Sequence, residues 1–233
     1  PNTVRKRISQ LRTAFRYAHD IEVIDKVPVF KLPPAGPPRE RAVDPKRELP
    51  AILAEADKSR TPFHIRLQTE LLIRLGCRRG ALLKLRWEHI DFEERIIRLR
   101  DTQDAAVRAT NKKKRENQPM DDEIYALLLE AKENAESDFV IEWRGRGIKS
   151  TYGGQRALYK RAGVAGVTTH DLRRTSATFV HNELGGDLDA AARHIADTKE
   201  MAAKTYVQAD PKVKLPGLQA IGRVMAEARK ASI

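Results

Sequence analysis

The sequence predicts a mainly α-helical protein with one small antiparallel β-sheet, a fold of the α+β class. Apolar residues recur at three- and four-residue spacing over most of the chain, which is typical of helices with one buried face. Only the middle of the chain, from residue 94 to residue 119, contains short segments predicted as strands. Hydrophobic residues make up 41% of the 233 residues, which is enough to bury a core, so we expect a folded chain.

The first forty residues are predicted to be separate from the rest. A helix is expected over about 4–18, with its apolar face formed by Val4, Ile8, Leu11, Phe15 and Ala18. Five prolines follow within residues 27–38 and exclude a helix interior there, so this segment is predicted as a semi-rigid linker. Because the chain begins with Pro1 rather than Met, we expect a fragment, with residues 1–40 the remnant of an N-terminal domain and 41–233 a compact domain.

The compact domain is predicted to consist of helices interrupted by three strands. Helices are expected at 46–58, 62–76 and 79–86. A strand at Glu94–Arg100 is followed by one near 105–110 and one near 115–119, with Asn111–Lys114 as the turn between the last two. Helices are expected again at 121–135, 153–163, 171–184, 187–195, 199–207 and 215–230.

The charge balance favours a polyanionic partner. The chain has 44 Lys and Arg against 32 Asp and Glu, a formal net charge of +12, so it should bind nucleic acid through counterion release. Aromatic residues are only 6% of the chain, which argues against an RNA-binding protein that stacks bases. No apolar stretch approaches membrane-spanning length and no signal peptide opens the chain, so we expect a cytoplasmic, nucleoid-associated protein without a membrane partner.

Cysteine usage bounds the chemistry further. The single cysteine, Cys77, cannot form an intramolecular disulfide, and no Cys/His cluster has the spacing of a zinc site. The sequence therefore predicts neither a metal nor another cofactor.

His170 and Arg173 are the most informative pair of residues. If a helix begins here, residues three apart project from one face, and a guanidinium beside an imidazole can clamp a phosphate and move a proton. Tyr206, thirty-three residues after Arg173, then suggests a nucleophile. The alternative is an ordinary helix with a capping histidine and a solvated arginine.

Two further basic groups have a structural and a chemical interpretation. Arg78 follows a glycine at a helix junction, where it can point into a cleft or simply complement a helix end. Lys112 to Arg115 lie at the predicted hairpin tip. These residues either form a solvated turn that contacts phosphates, or one lysine protonates a leaving oxygen as a general acid.

Three motifs in order resemble a known family. The segment L-G-C-R-R-G-A-L-L-K-L-R-W-E-H-I-D resembles the first arginine box of the tyrosine recombinases, or phage integrases. H-D-L-R-R-T-S-A-T resembles their second box, and A-D-T-K-E-M-A-A-K-T-Y resembles the segment that ends at the nucleophilic tyrosine. The resemblance covers residues 41–210 and implies the family's catalytic-domain fold, preceded by the last helix of a core-binding domain and its linker.

The resemblance also implies roles for single residues. Arg78 and Arg173 would clamp the scissile phosphate, His170 would be the histidine of the second box, Lys112 the hairpin lysine and Tyr206 the nucleophile. The expected activity is site-specific DNA recombination or integration through a 3′-phosphotyrosine, which a 5′-hydroxyl can reverse without ATP or a metal. The two guanidiniums would neutralise the charge that develops on the phosphate.

The sequence departs from the family's pattern near the tyrosine. The family usually has Gly-His where this chain has Ala196-Asp197, and a carboxylate there would repel the scissile phosphate. His194 is a possible replacement for the missing histidine. In the first box, Ala81 stands where the family commonly has an acidic residue. Counting back from Pro119 places the lysine position on Asn111, so assigning Lys112 assumes a shift of one residue.

We expect binding to double-stranded DNA to be directed mainly at phosphates. The predicted contacts are Lys113, Lys114, Arg115, Arg144 and Arg146, with Arg156 and Arg161 on the same rim. The apolar stripe of the last predicted helix consists of Leu215, Leu218, Ile221, Val224 and Met225. This helix either folds back on its own domain or, as the resemblance implies, docks on a neighbouring protomer. The chain would then be a monomer in isolation and a tetramer on DNA.

Two other functions stay open at the level of sequence. One is a catalytically weak or inactive DNA-binding protein derived from a recombinase, which Asp197 favours. The other is nicking and resealing of the kind that type IB topoisomerases perform with a similar set of residues.

Overall fold

The fold is described by a computed structural model of residues 2–36, 41–103 and 115–207, together with the single positions 212, 216, 219 and 221. The chain divides into two compact units, residues 1–39 and 40–233. The predicted strand at 105–110, the turn at 111–114 and most of the predicted helix at 215–230 lie outside the described residues.

The first unit contains one long helix and an extended segment packed along it. Helix α1 spans Asn2–Asp20 and has no buried residue, although its sequence is amphipathic. The proline-rich segment folds back along it, with the Phe15 and Phe30 rings 5.4 Å apart. The Asn2 side-chain oxygen accepts a hydrogen bond of 2.8 Å from the Gly36 amide, which fixes the far end of the segment.

Helices form most of the second unit, and most lie within the predicted ranges. Those before the sheet are α2 (Glu48–Ala56), α3 (Phe63–Leu75) and the single turn α4 (Arg79–Leu82). Those after the sheet are α5 (Asp122–Glu133), α6 (Tyr152–Arg161), α7 (Thr169–Glu183), α8 (Leu188–His194) and the short α9 (Lys199–Met201), which continues into a π-helical turn at Ala202–Tyr206. No helix in these described ranges is long and apolar enough to cross a membrane.

The sheet has three very short antiparallel strands in chain order. They are β1 (Ile90–Asp91), β2 (Ile96–Ile97) and β3 (Gln118–Pro119). Ile97 pairs with Ile90 on one side and with Gln118 on the other. The prediction of a mainly helical fold with a small antiparallel sheet is therefore confirmed.

The local predictions were wrong where tertiary hydrogen bonds redirect the backbone. The predicted helix at 79–86 ends at Leu82, because Arg86 pairs with Phe139 and the Trp87 amide bonds the Asp138 carbonyl at 3.0 Å. The predicted strand at 94–100 is reduced to two residues, with Arg95 in a left-handed turn conformation at φ +54°. Strand β1 was missed, since the sequence analysis placed no strand before residue 94.

Helix α3 is central to the core. Ile65, Leu67, Leu71, Leu72 and Leu75 are all buried and belong to one large apolar cluster that extends to α2, the sheet, α5 and α6. Burying such a side chain stabilises the fold by roughly 1.5–3 kcal/mol. The polar face of α3 is bonded too, since Gln155 of α6 bonds Thr69 and Gln68 inside the core. The end of α3 is therefore a fixed point from which the next segment starts.

A second, smaller apolar cluster supports the end of the described chain. It contains Ala177, Ala192, Ile195, Ala202 and Tyr206, which come from α7, α8 and the π-helical turn. Small alanine side chains let these helices approach closely, so the tyrosine is packed into its own domain.

Glu55, at the end of α2, is a buried carboxylate surrounded by cations. Arg60 donates two hydrogen bonds of 2.8 and 2.7 Å, and Arg161 donates one of 2.6 Å. These hydrogen bonds hold the pKa of Glu55 well below its usual range. Arg161, which was predicted to contact DNA, is used instead to join α6 to α2.

Replacing Glu55 with Gln should lower the free energy of unfolding most at neutral pH. The pKa is lower in the folded state than its ordinary value of 4.5, so the charged carboxylate stabilises the fold above pH 4.5. That contribution is lost as the pH falls towards the folded-state pKa. Urea unfolding of parent and Glu55→Gln at several pH values should show two curves that converge in acid. A difference that is constant with pH would contradict this account.

Candidate active site

The first arginine box begins at the end of α3, where Gly76 reverses the chain. Gly76 has φ +55°, and its amide bonds the Leu72 carbonyl at 3.1 Å to cap the helix. A Cβ at this position would lie 2.9 Å from Ser176 Oγ, so only glycine fits both the conformation and the space. The turn directs the chain through buried Cys77 to Arg78, which lies in an extended conformation at the start of α4.

The second box is set by the capping of α7. Asp171 is fully buried and accepts hydrogen bonds of 2.8 Å from both the amide and the hydroxyl of Thr168, which forms a capping box. His170 is the second residue of α7 and Arg173 the fifth, so the buried cap at the start of the helix fixes their position as well.

Arg173 is a buried cation with three distinct neighbours. Only 1% of the residue is exposed. One guanidinium nitrogen donates to the Gly76 carbonyl at 2.7 Å, and the other terminal nitrogen donates to Asp197 Oδ2 at 3.0 Å. The guanidinium carbon lies 4.9 Å from the centre of the Tyr206 ring. Burial and the nearby Arg78 lower the pKa of Arg173, while Tyr206 and Asp197 raise it.

Asp197 joins the two boxes. Arg78 donates to the same oxygen, Oδ2, at 2.7 Å, so the two guanidiniums converge on one carboxylate oxygen. Asp197 follows Ala196, which has a left-handed φ of +51°. Glycine adopts a positive φ without strain, and glycine is the residue that the resemblance implies at position 196.

Tyr206 ends the π-helical turn and is packed against the second box. Its ring centre lies 5.2 Å from that of His170, and the residue is 5% exposed. Its carbonyl accepts from Thr178 Oγ1 at 3.2 Å, and the preceding carbonyl, of Thr205, accepts from Arg174 Nε at 2.8 Å. Neither Arg174 nor Thr178 was predicted as a site residue, although both stand within the motif H-D-L-R-R-T-S-A-T.

His170 is half-buried between cations. Burial lowers the pKa of His170 below 6.5, and the charges of Arg174 and Arg173 lower it further. The imidazole is therefore neutral at pH 7 and can accept a proton.

A basic cavity of about 830 Å³ adjoins His170. It lies between α6 and the start of α7, and its lining includes Arg79, Arg156 and Lys160. Of the predicted rim arginines, Arg156 is thus next to the site.

Of the predicted hairpin residues, three lie outside the described residues and one lies close to the two arginines. Lys112, Lys113 and Lys114 lie outside them. Arg115 is described, and it bonds Thr102 and lines a small cavity with Arg78 and Arg173.

The fold does not bring Arg144 and Arg146 to the point where the Arg78 and Arg173 guanidiniums converge. Arg144 stacks 5.4 Å from the Trp143 ring and lines a groove with Phe63 and His64, at the start of α3. Arg78 follows the other end of that helix, about 18 Å along its axis. Arg146 belongs to the adjacent short hairpin, in which Glu142 pairs with Gly147.

His194 packs beside the two boxes. Its Nε2 lies 2.7 Å from Ser176 Oγ, and its carbonyl accepts from Gln118 Nε2 at 3.2 Å. Burial and the charge of Arg173 lower its pKa. These contacts fix the ring at the junction of α7, α8 and β3.

The charge pattern of the site suits an anion. Across the described ranges, no group of three or more His, Cys, Asp or Glu side chains is placed to hold a metal ion. Two guanidiniums aimed at one point can hold two oxygens of a phosphate, beside a phenol and a neutral imidazole.

A profile of the phage integrase family matches residues 45–212, which spans both arginine boxes and the tyrosine. The chain belongs to this family. The resemblance drawn from the three motifs is therefore confirmed. No curated protein sequence matches the chain.

Solved structures show the same integrase fold. The chain is 21% identical to XerA recombinase, with a TM-score of 0.59 over 91% of this chain and 73% of that one. It is 18% identical to the Tn1549 transposon integrase in complex with transposon right end DNA, with a TM-score of 0.70 over 94% of this chain and 79% of that one. It is 21% identical to lambda integrase in the structure of a dimer bound to a COC′ core site, with a TM-score of 0.63 over 84% of this chain and 56% of that one. This chain thus spans little more than half of that integrase chain.

Replacing Ala196 with Gly should stabilise this integrase-family chain by about 1 kcal/mol, because an L-residue pays roughly 1–2 kcal/mol for the left-handed conformation. Urea unfolding measures the difference. Ala162→Gly is the matched control, since Ala162 ends α6 with a right-handed φ of −68° and has no such strain. Glycine there should be neutral or destabilising. A loss of stability in Ala196→Gly would show that the φ of +51° costs little.

Proposed function

We propose that this chain is a site-specific DNA recombinase or integrase that cleaves and rejoins DNA through Tyr206. The observation that carries the proposal is the convergence of the Arg78 and Arg173 guanidiniums on one anionic oxygen, with Tyr206 against Arg173 and His170. Two guanidiniums that can hold an anion, a phenol beside one of them and a neutral base beside the phenol are the parts that attack on a phosphodiester uses.

The chemistry follows from these parts. The Tyr206 oxygen attacks the phosphorus and forms a 3′-phosphotyrosine, while the bond to the 5′-oxygen breaks. Arg78 and Arg173 neutralise the charge on the non-bridging oxygens, and comparable arginines contribute roughly 10³–10⁵-fold in other phosphoryl transfers. His170 accepts the phenolic proton, and Lys112 gives a proton to the leaving 5′-oxygen. The reverse attack by a 5′-hydroxyl reseals the strand, so no external energy source is consumed.

The surface next to the site supports a duplex substrate. Arg79, Arg156 and Lys160 line the cavity beside His170, so phosphates flanking the scissile one meet positive charge there. The formal net charge of +12 adds a general attraction to DNA that salt weakens.

The proposed assembly is a tetramer on DNA formed from protomers that are monomeric in isolation. Lambda integrase has been solved as a dimer on a core site and as a tetramer on a Holliday junction, and it shares this fold. Most of the predicted docking stripe lies outside the described residues, but Ile221 is described and exposed.

One observation favours a second function, that of a weak or inactive DNA-binding protein. The guanidiniums of Arg78 and Arg173, together called the clamp, both donate to the Asp197 carboxylate. A phosphate therefore meets a clamp that already holds an anion. Topoisomerase-like nicking and resealing would use the same adduct, so it differs from recombination in the product rather than in the site.

Replacing Tyr206 with Phe should abolish the covalent protein–DNA adduct and leave DNA affinity unchanged. The substitution removes the attacking oxygen but keeps the ring that packs against Arg173 and His170. Adduct formation is measured by gel shift under denaturing conditions, with a nicked suicide duplex. Tyr125→Phe is the matched control, because Tyr125 packs against Phe92 and Arg95 on another part of the domain. An adduct that persists in Tyr206→Phe, or no adduct in the parent, would overturn the proposal.

The rate of adduct formation should fall in acid, at a pH below the ordinary histidine value of 6.5. Burial and two arginines lower the pKa of His170, so its neutral, proton-accepting form persists below pH 6.5 and is lost when the pH passes the lowered pKa. His170→Asn should reduce the rate by roughly 10²–10⁴-fold and flatten this profile. An unchanged profile in His170→Asn would assign the titration to another group.

A further inference from the structure

The Asp197 carboxylate occupies the point at which the two active-site arginines converge. We propose that it acts as an internal competitor of the scissile phosphate, so that DNA must displace it before Tyr206 can react. The inference rests on the proposed function for its substrate. It adds that Asp197 determines how tightly an anion binds to the Arg78 and Arg173 guanidiniums, and which anions can bind there.

The geometry of the contact is that of a bound anion. Asp197 Oδ2 lies 2.7 Å from a terminal nitrogen of Arg78 and 3.0 Å from one of Arg173. The shorter of these is in the range of charge-assisted hydrogen bonds between guanidinium and carboxylate, and the longer is an ordinary hydrogen-bond length. A phosphate oxygen would require the same two donors at the same distances, and two anions at one point repel each other strongly.

The remaining contacts indicate a competitor rather than a support for the arginines. Arg173 is also held by the Gly76 carbonyl at 2.7 Å and by the Tyr206 ring. Arg78 is placed by the turn that Gly76 makes at the end of α3. The second Asp197 oxygen accepts from the amide of the next residue, Thr198, at 3.1 Å.

Asp197 also has a route out of the clamp. Its side chain is 11% exposed, compared with 2% for Arg173. It stands in the short connection between α8 and α9, next to the strained Ala196. A rotation of this side chain exposes the carboxylate to water and leaves the guanidiniums in place.

Selectivity for polymeric anions follows from this competition. A small anion contacts only the two guanidiniums of the clamp, so no further contact compensates for the displacement of Asp197. A DNA strand also meets Arg79, Arg156 and Lys160 in the adjoining cavity, and these contacts offset the cost of displacement. The closed clamp therefore discriminates against free phosphate-like ions.

The test is a sulfate titration of the full chain by isothermal calorimetry, in parent and Asp197→Asn. Asparagine keeps the shape and removes the charge, so sulfate affinity should rise about tenfold or more, the effect of one close charge on an ionic equilibrium. The matched control is Asp189→Asn, which removes an exposed carboxylate that pairs with Lys199 at 2.8 Å. This control should bind sulfate as the parent does.

Two further variants show where the gain in sulfate affinity arises and keep the test possible if the asparagine variant does not fold. Adding Arg78→Gln to Asp197→Asn should remove the gain, because the gain depends on the free clamp. Asp197→His, which carries the residue usual in the family, should also gain affinity and replaces the asparagine variant if circular dichroism shows that variant to be unfolded. Equal or weaker sulfate binding by the folded variants would overturn the proposal and make Asp197 a positioning residue.

The adduct assay separates this inference from the proposed function. If both hold, Asp197→Asn gains sulfate affinity and forms the Tyr206 adduct faster at subsaturating DNA. A gain in sulfate affinity without an adduct in any variant would retain the internal competitor and reject the recombinase. An adduct in the parent with no gain in sulfate affinity would do the reverse.

Discussion

The burial of the Arg173 charge is the constraint on which the rest of the site depends. A guanidinium taken out of water costs several kcal/mol unless its donors are satisfied. Here the carbonyl at the end of α3 and the carboxylate after α8 accept from the two terminal nitrogens, and the ring at the end of the π-helical turn packs against the guanidinium. Only Nε has no partner among the described residues. One side chain of α7 therefore brings three distant segments to one point. A change that moves the end of α3 or the π-helical turn leaves a buried cation with fewer partners, so the fold and the site are coupled. The carboxylate is the partner that a phosphate would replace.

The segment that carries Tyr206 is fixed by similar means. Arg174 and Thr178 bond consecutive carbonyls of that segment, and small alanines pack beneath it. The turn itself is π-helical, a rare form that occurs often at functional sites. The same helix, α7, thus carries His170, Arg173 and the two residues that bond the Tyr206 segment. Of these polar side chains, Arg173, Arg174 and Thr178 are buried.

The sequence allowed the family, the helical fold and the grouping of the two boxes with the tyrosine to be predicted, because each depends on residue types at fixed spacing. It did not allow the short strands to be located, since they are defined by pairing with one another. Nor did it locate the end of α4, since the bonds of Arg86 and Trp87 to residues 139 and 138 decide it. The charge of Asp197 was enough to predict that it would repel a phosphate. Its position between Arg78 and Arg173 depends on the turn at Ala196, which a one-dimensional pattern does not encode. Arg144 and Arg146 were grouped with the DNA-binding rim by charge alone, and α3 separates Arg144 from the clamp.

The central claim is that Arg78, Arg173 and His170 act on a phosphate attacked by Tyr206. Its most direct test is to digest the protein–DNA adduct with trypsin and identify the modified peptide by mass spectrometry. Cleavage after Lys204 and Lys212 releases residues 205–212, a peptide in which Tyr206 is the single tyrosine. The account predicts that this peptide alone carries the 3′-phosphate of the cleaved strand. A nucleotide attached to a peptide that contains Tyr125, Tyr152 or Tyr159 would contradict it.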